Sequence, residues 1–139
     1  MGRTRLYFTL VYGVFDESQG RFEYVMAGHP APVLLPRTGP PAPLRGAGLP
    51  IGMIEHATFD DENAILQPGD RLYFYTDGVI EALDPSEQEF GHARLMAEID
   101  RQRDRPWREG LDVVADLVRD WSGGCLRDDV SLLAIERME

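Results

Sequence analysis

Lysine is absent from the 139 residues: all 14 basic side chains are arginines, set against 24 Asp and Glu, for a formal net charge of −10. That balance lacks the basic surface with which nucleic-acid binders displace counterions. Cysteine is nearly absent. Cys125 stands alone, which excludes a disulfide framework and a zinc-binding spacing. No apolar run approaches the roughly 18–20 residues of a membrane span, and nothing at Met1–Leu10 resembles a secretory leader. Met1-Gly2 begins a myristoylation signal, but Leu6 occupies the position that wants Ser or Thr. These absences predict a cytoplasmic chain with no nucleic-acid and no membrane partner. Only three histidines occur, His29, His56 and His92, scattered along the chain, which argues against an imidazole metal site. A Gly-rich phosphate loop, His-Glu-x-x-His, Gly-x-Ser-x-Gly and a Cys–His pair are also missing.

What is present reads as one α+β domain over residues 1–139. Leu6–Phe15 and Arg21–Ala27 have strand composition and flank the polar turn Asp16–Gly20, a β-hairpin signature. Ala31–Leu35 is a further short strand. Seven of the ten prolines crowd between Pro30 and Pro50, so Pro36–Pro50 reads as loop. Thr58–Leu66 is a candidate strand, and Gln67–Asp70 is a turn. Arg71–Thr76 is the clearest strand, with Leu72, Phe74 and Thr76 on one face and Tyr73, Tyr75 and Asp77 on the other. Gly91–Gln102 and Trp107–Trp121 carry helical spacing, the second ending at Gly123-Gly124. Val130–Ile135 closes the chain as an apolar strand. The Arg94–Arg108 cluster alternates with acids and reads as a solvated face.

With imidazole, thiol and phosphate-loop chemistry excluded, carboxylates remain. Asp77 ends an apolar strand, and Gly78 allows a sharp turn after it. Asp128-Asp129 precedes another such strand. Each spot has a bland alternative, Asp77 as a turn or helix cap and Asp128-Asp129 as a solvated turn. Alternation puts only one of Asp128 and Asp129 toward a site shared with Asp77 and does not say which. Carboxylates without His or Cys favour hard ions such as Mg²⁺ or Mn²⁺.

Five blocks in order carry a resemblance. They are Phe8–Asp16 leading to Tyr24–Pro32, then Gly48–Met53, Pro68–Ala82, Phe90-Gly91, and Asp128–Leu133. The chain resembles the bacterial stage II sporulation protein E and RsbU-like phosphatases, a branch of the metal-dependent PPM-type serine/threonine phosphatases. That resemblance implies a sandwich of two antiparallel sheets flanked by helices. It also implies phosphomonoester hydrolysis by water activated between two Mn²⁺ or Mg²⁺ ions. It assigns catalytic roles to Asp77 and Asp128, metal binding to Asp77, Gly78 and Asp128, and substrate-adjacent places to His29 and Asp129. For His29, ordering of its own loop by a hydrogen bond stands as an equal alternative.

One block of the family pattern has no counterpart. The N-terminal Gly-Asp-x-x-Gly-His-Gly, whose Asp bridges both metals, is not found in residues 1–139. The match therefore covers the C-terminal portion of such a domain. The expectation is a chain weak or inactive alone, with an exposed edge at Leu6–Phe15. Such a chain should form a homo-oligomer or strand-swapped dimer, or pair with an N-terminal piece. The partner implied is a phosphorylated regulatory protein of the anti-sigma-factor-antagonist kind. A non-catalytic regulatory module, and a plain α+β domain whose aspartates cap turns, are the competing readings.

Overall fold

The computed structural model describes residues 6–139. In chain order its elements are strands β1 (Leu10–Asp16), β2 (Arg21–Ala27), β3 (Val33–Leu35), β4 (Ala42–Pro43), β5 (Glu62–Ile65) and β6 (Arg71–Tyr75), helices α1 (Asp77–Ile80), α2 (Gly91–Arg101) and α3 (Trp107–Trp121), and strand β7 (Leu132–Glu136). One sheet runs β1-β2-β5 and the other β4-β3-β6-β7, every pairing antiparallel.

Alternation along each strand decides the layering. Val11, Phe15, Phe22, Tyr24 and Met26 point inward from the first sheet and meet Leu34, Leu72, Phe74 and Ile135 from the second. The opposite face of the second sheet, with Val33, Leu35, Tyr73, Tyr75 and Ala134, packs on Val79, Leu95, Ile99, Val114 and Val118. β6 is thus covered on both sides. Leu72 is 0% exposed, and its complete burial contributes about 1.5–3 kcal/mol. The sandwich flanked by helices is as the family resemblance implied.

Among the described residues, helices cover only the second sheet. On the outer face of the first, Tyr12, Val14 and Ile65 stand exposed, and β1 is an edge strand. No helix among the described residues is long and apolar enough to cross a membrane.

Several boundaries differ from expectation. β1 starts at Leu10 rather than Leu6, because Phe8 turns away to exchange main-chain hydrogen bonds with Ile51 at 3.1 and 2.8 Å. The proline-rich loop contains β4, whose Pro43 is tolerated because β4 lies at a sheet edge. β5 is confined to Glu62–Ile65 within the broader strand expected over Thr58–Leu66. The Arg94–Arg108 segment is more than a solvated face. Arg103 donates to the carbonyls of Pro36, Arg37 and Gly39, tying the end of α2 to the loop after β3. Arg94 lies over the Trp121 ring at 4.1 Å, a cation–π contact. Arg71, expected only as the opening residue of a strand, is buried. It bonds Glu136 at 2.8 Å and the Gln102 and Arg105 carbonyls at 3.2 and 2.6 Å.

Candidate functional site

The β1–β2 hairpin pairs the start of β1 with the end of β2, and the β6–β7 ladder pairs the end of β6 with the start of β7. The two sheets stack so that these four strand tips gather at one end of the sandwich. There a hollow of about 220 Å³ is lined by Thr9, His29, Pro30, Thr76, Asp77, Gly78, Asp128 and Asp129. The first sheet supplies Thr9, His29 and Pro30; the second supplies the rest. All five residues singled out from the sequence, His29, Asp77, Gly78, Asp128 and Asp129, line this one space.

Both Asp128 and Asp129 take part, where strict alternation admitted only one. The reason is that β7 begins at Leu132, so the pair lies in a loop to which strand periodicity does not apply. Asp129 donates its N–H to Asp128 Oδ1 at 2.8 Å, shaping that loop. Thr76 closes the approach to β6. Its N–H donates to the Ser131 carbonyl at 3.1 Å, and its Oγ1 accepts from the Ser131 N–H at 3.0 Å. Gly78 is required by closeness rather than by backbone angle. A Cβ built on it would stand 2.2 Å from the Asp129 carbonyl oxygen.

The carboxylates of Asp77, Asp128 and Asp129 are exposed and enter no ion pair among the described residues. Burial, with the Asp77 negative charge second, pushes the Tyr75 phenol above its ordinary range. The influence of Asp77 therefore extends inward to the helix-facing core. His92 is exposed and sets its ring edge-on to Tyr75 at 6.2 Å. His29 Nδ1 lies 3.0 Å from the Pro30 carbonyl. Because a carbonyl only accepts, Nδ1 carries the proton there, which leaves Nε2 free to accept. The histidine thus orders its own loop and also lines the hollow.

Apart from the His29 imidazole, the donors lining the hollow are oxygens, as hard divalent cations prefer. By number the set is incomplete: no group of three or more His, Cys, Asp or Glu is placed to hold a metal among the described residues. In chemistry the carboxylates fit a Mg²⁺- or Mn²⁺-type ion; in number they would be only part of a shell. Thr9, Pro30 and Thr76 were not foreseen as lining residues. The available signal was Thr76 itself, a polar side chain where alternation demands an inward apolar one. A larger hollow of about 530 Å³ lies at the other end of β6, beside Arg37, Arg71, Arg103 and Arg137. Three of those arginines are already engaged by main-chain carbonyls, which leaves that space a poor anion site.

Comparison with known proteins bears on the family and the fold. IcfG of Synechocystis sp. is 32% identical over 98% of the chain, which covers 22% of that protein. The phosphoserine phosphatase RsbP of Bacillus subtilis is 35% identical over 55% of the chain, covering 19% of it. The chain thus spans about a fifth of these curated relatives. The solved RsbU and RsbW domains of Rv1364c from Mycobacterium tuberculosis align with a TM-score of 0.80 at 28% identity, over 94% of this chain and 36% of that one. The phosphatase domain of SpoIIE from Bacillus subtilis, in crystals presoaked with manganese, aligns at 0.73 and 15% identity, over 94% and 56%. The family model described as stage II sporulation protein E (SpoIIE) matches residues 2–138, and the chain belongs to that family and shares the fold of its solved phosphatase domain.

Proposed function

We propose that this chain carries the C-terminal half of a metal-dependent protein serine/threonine phosphatase centre, with Asp77, Asp128 and the Gly78 position holding Mn²⁺ or Mg²⁺. The observation that supports it most is the meeting of Asp77 with Asp128 and Asp129 at the tips of two hydrogen-bonded strands in a SpoIIE-family chain. A divalent ion bound there supplies an activated water and offsets charge on the phosphoryl oxygens. The protein's own residues do the rest. Three carboxylates beside one hollow, on a chain of net charge −10, repel a phosphate dianion until they are neutralised. His29 Nε2 and the Asp129 carboxylate flank the substrate position, and Pro30 and Thr9 wall it from the first sheet. The substrate class is a phosphoseryl or phosphothreonyl side chain on a regulatory protein of the anti-sigma-factor-antagonist kind, in line with the phosphoserine phosphatase RsbP. Turnover by this chain alone is weak or nil, because its ligands are too few to draw an ion from its hydration shell efficiently.

The test is a Mn²⁺ titration of the chain beside hydrolysis of p-nitrophenyl phosphate, repeated with Asp77→Ala and Asp128→Ala. Saturable Mn²⁺ binding on the order of a millimolar, lost in both variants, is the expected result. Binding with no turnover under any condition, even after an N-terminal Gly-Asp-x-x-Gly-His-Gly segment is supplied, would favour a non-catalytic regulatory module. No binding, or binding indifferent to both substitutions, would overturn the proposal.

A further inference from the structure

We infer that Thr76 is a positioning residue that sets where Asp128 and Asp129 stand relative to Asp77; the inference rests on the metal reading of the hollow above. Regular pairing of β6 with β7 ends at Tyr75↔Leu132. One step further, the Thr76 side chain extends it. Its Oγ1 accepts from the Ser131 N–H at 3.0 Å and faces the Asp129 carbonyl at 3.4 Å, while its own N–H donates to the Ser131 carbonyl at 3.1 Å. A hydroxyl can accept and donate at once, so both side-chain contacts are compatible. The turn that leads from β6 into Asp77, the first residue of α1, and the loop that carries the other two aspartates are therefore joined by the Thr76 hydroxyl as well as by one main-chain bond. From the other side, Gly78 lets the Asp129 carbonyl come within a distance no Cβ would permit. Thr76 pulls the loop in and Gly78 leaves it room. Alternation places Thr76 on the same face as the buried Leu72 and the half-buried Phe74, where valine would pack equally well. The oxygen is what the position uses.

The experiment compares Thr76→Val, which keeps the shape and loses the oxygen, with Thr76→Ser, which keeps the oxygen. Thr76→Ala serves as a second oxygen-free variant should the valine chain fold poorly. Amide hydrogen exchange at Ser131 and Mn²⁺ affinity, read by paramagnetic broadening of the backbone amides, are measured with the thermal midpoint. Losing the bond should speed Ser131 exchange and weaken Mn²⁺ binding by about two- to tenfold, with serine restoring both. Unchanged exchange in the oxygen-free variants would overturn the inference. So would faster exchange at unaltered Mn²⁺ affinity, which would reduce Thr76 to local structure. Failure of the unaltered chain to bind Mn²⁺ at all is a different result, and it would remove the metal reading together with the inference.

Discussion

Replacing Gly78 by alanine puts a methyl group where the Asp129 carbonyl now passes. The added Cβ would lie 2.2 Å from that oxygen and 3.0 Å from its carbon. An ordinary C···O contact needs about 3.3 Å, so the 128–129 loop must withdraw by about 1 Å. The Cβ is fixed by its own backbone and the atoms it meets are main chain, so no rotamer change can relieve the collision. Withdrawal stretches the two Thr76–Ser131 bonds, now 3.1 and 3.0 Å, beyond useful length. Losing them costs about 1–3 kcal/mol, and leaving the strain in place costs a similar amount. Helix preference works the other way, since alanine is favoured over glycine by about 0.8–1.0 kcal/mol in a helix interior. The net expectation is a loss of up to about 2 kcal/mol, read as a fall in thermal midpoint of about 3–5 °C per kcal/mol at this size. Mn²⁺ affinity should fall by about 10–100-fold, as when the residues supporting a metal ligand are displaced. A midpoint at or above that of the unaltered chain, together with unchanged Mn²⁺ binding, would refute the close-approach reasoning.

Arg71→Met should destabilise the chain by about 3–5 kcal/mol in urea unfolding, because it strips Glu136 and two main-chain carbonyls of their donor; Glu136→Gln, which keeps an acceptor for Arg71, should cost far less. Tyr75 has a folded pKa raised above its usual 10.0, so its contribution to stability is complete below that value and is lost as pH rises through the folded one. Thermal midpoints followed above about pH 10 should therefore fall less steeply in Tyr75→Phe, and an identical decline in both chains would count against the burial argument. β1 carries no Lys, Pro or inward charge to blunt its free edge, so the chain should self-associate in light scattering and become monomeric with Tyr12→Lys and Val14→Lys together. A concentration-independent monomer of the unaltered chain would contradict this.

Local chemistry was the legible part of the fold. Gln67–Asp70 announces its turn through Pro and Gly, and Asp70 indeed accepts from the Gln67 and Arg37 N–H groups at 2.8 Å each. α3 was legible because Leu111, Val114, Val118 and Trp121 recur at its period and Gly123-Gly124 stops it. Short elements were not: α1 has four residues and β4 two, too few for any period to register. The start of β7 was placed two residues early, since an apolar Val130 looks the same in a strand and in a loop pinned by Thr76. The site divides in the same way. Asp77 and Asp128 stood out as acids beside apolar strands, but their meeting depends on β6 pairing with β7 across three intervening helices. No local pattern encodes such a pairing, and only the ordered family blocks implied it.

The hollow is assembled from parts of unequal stiffness. Asp77 and the Asp128–Asp129 loop ride on neighbouring strands joined by five consecutive residue pairs, so they shift as one body or break a ladder. His29 and Thr9 flank strand ends of the β1-β2-β5 sheet, which meets the β6–β7 sheet through side chains in a layer of Phe22, Met26, Leu72 and Phe74. The His29 side of the hollow is thus tied to the acidic side by packing, and the acidic side is held together by a hydrogen-bonded ladder.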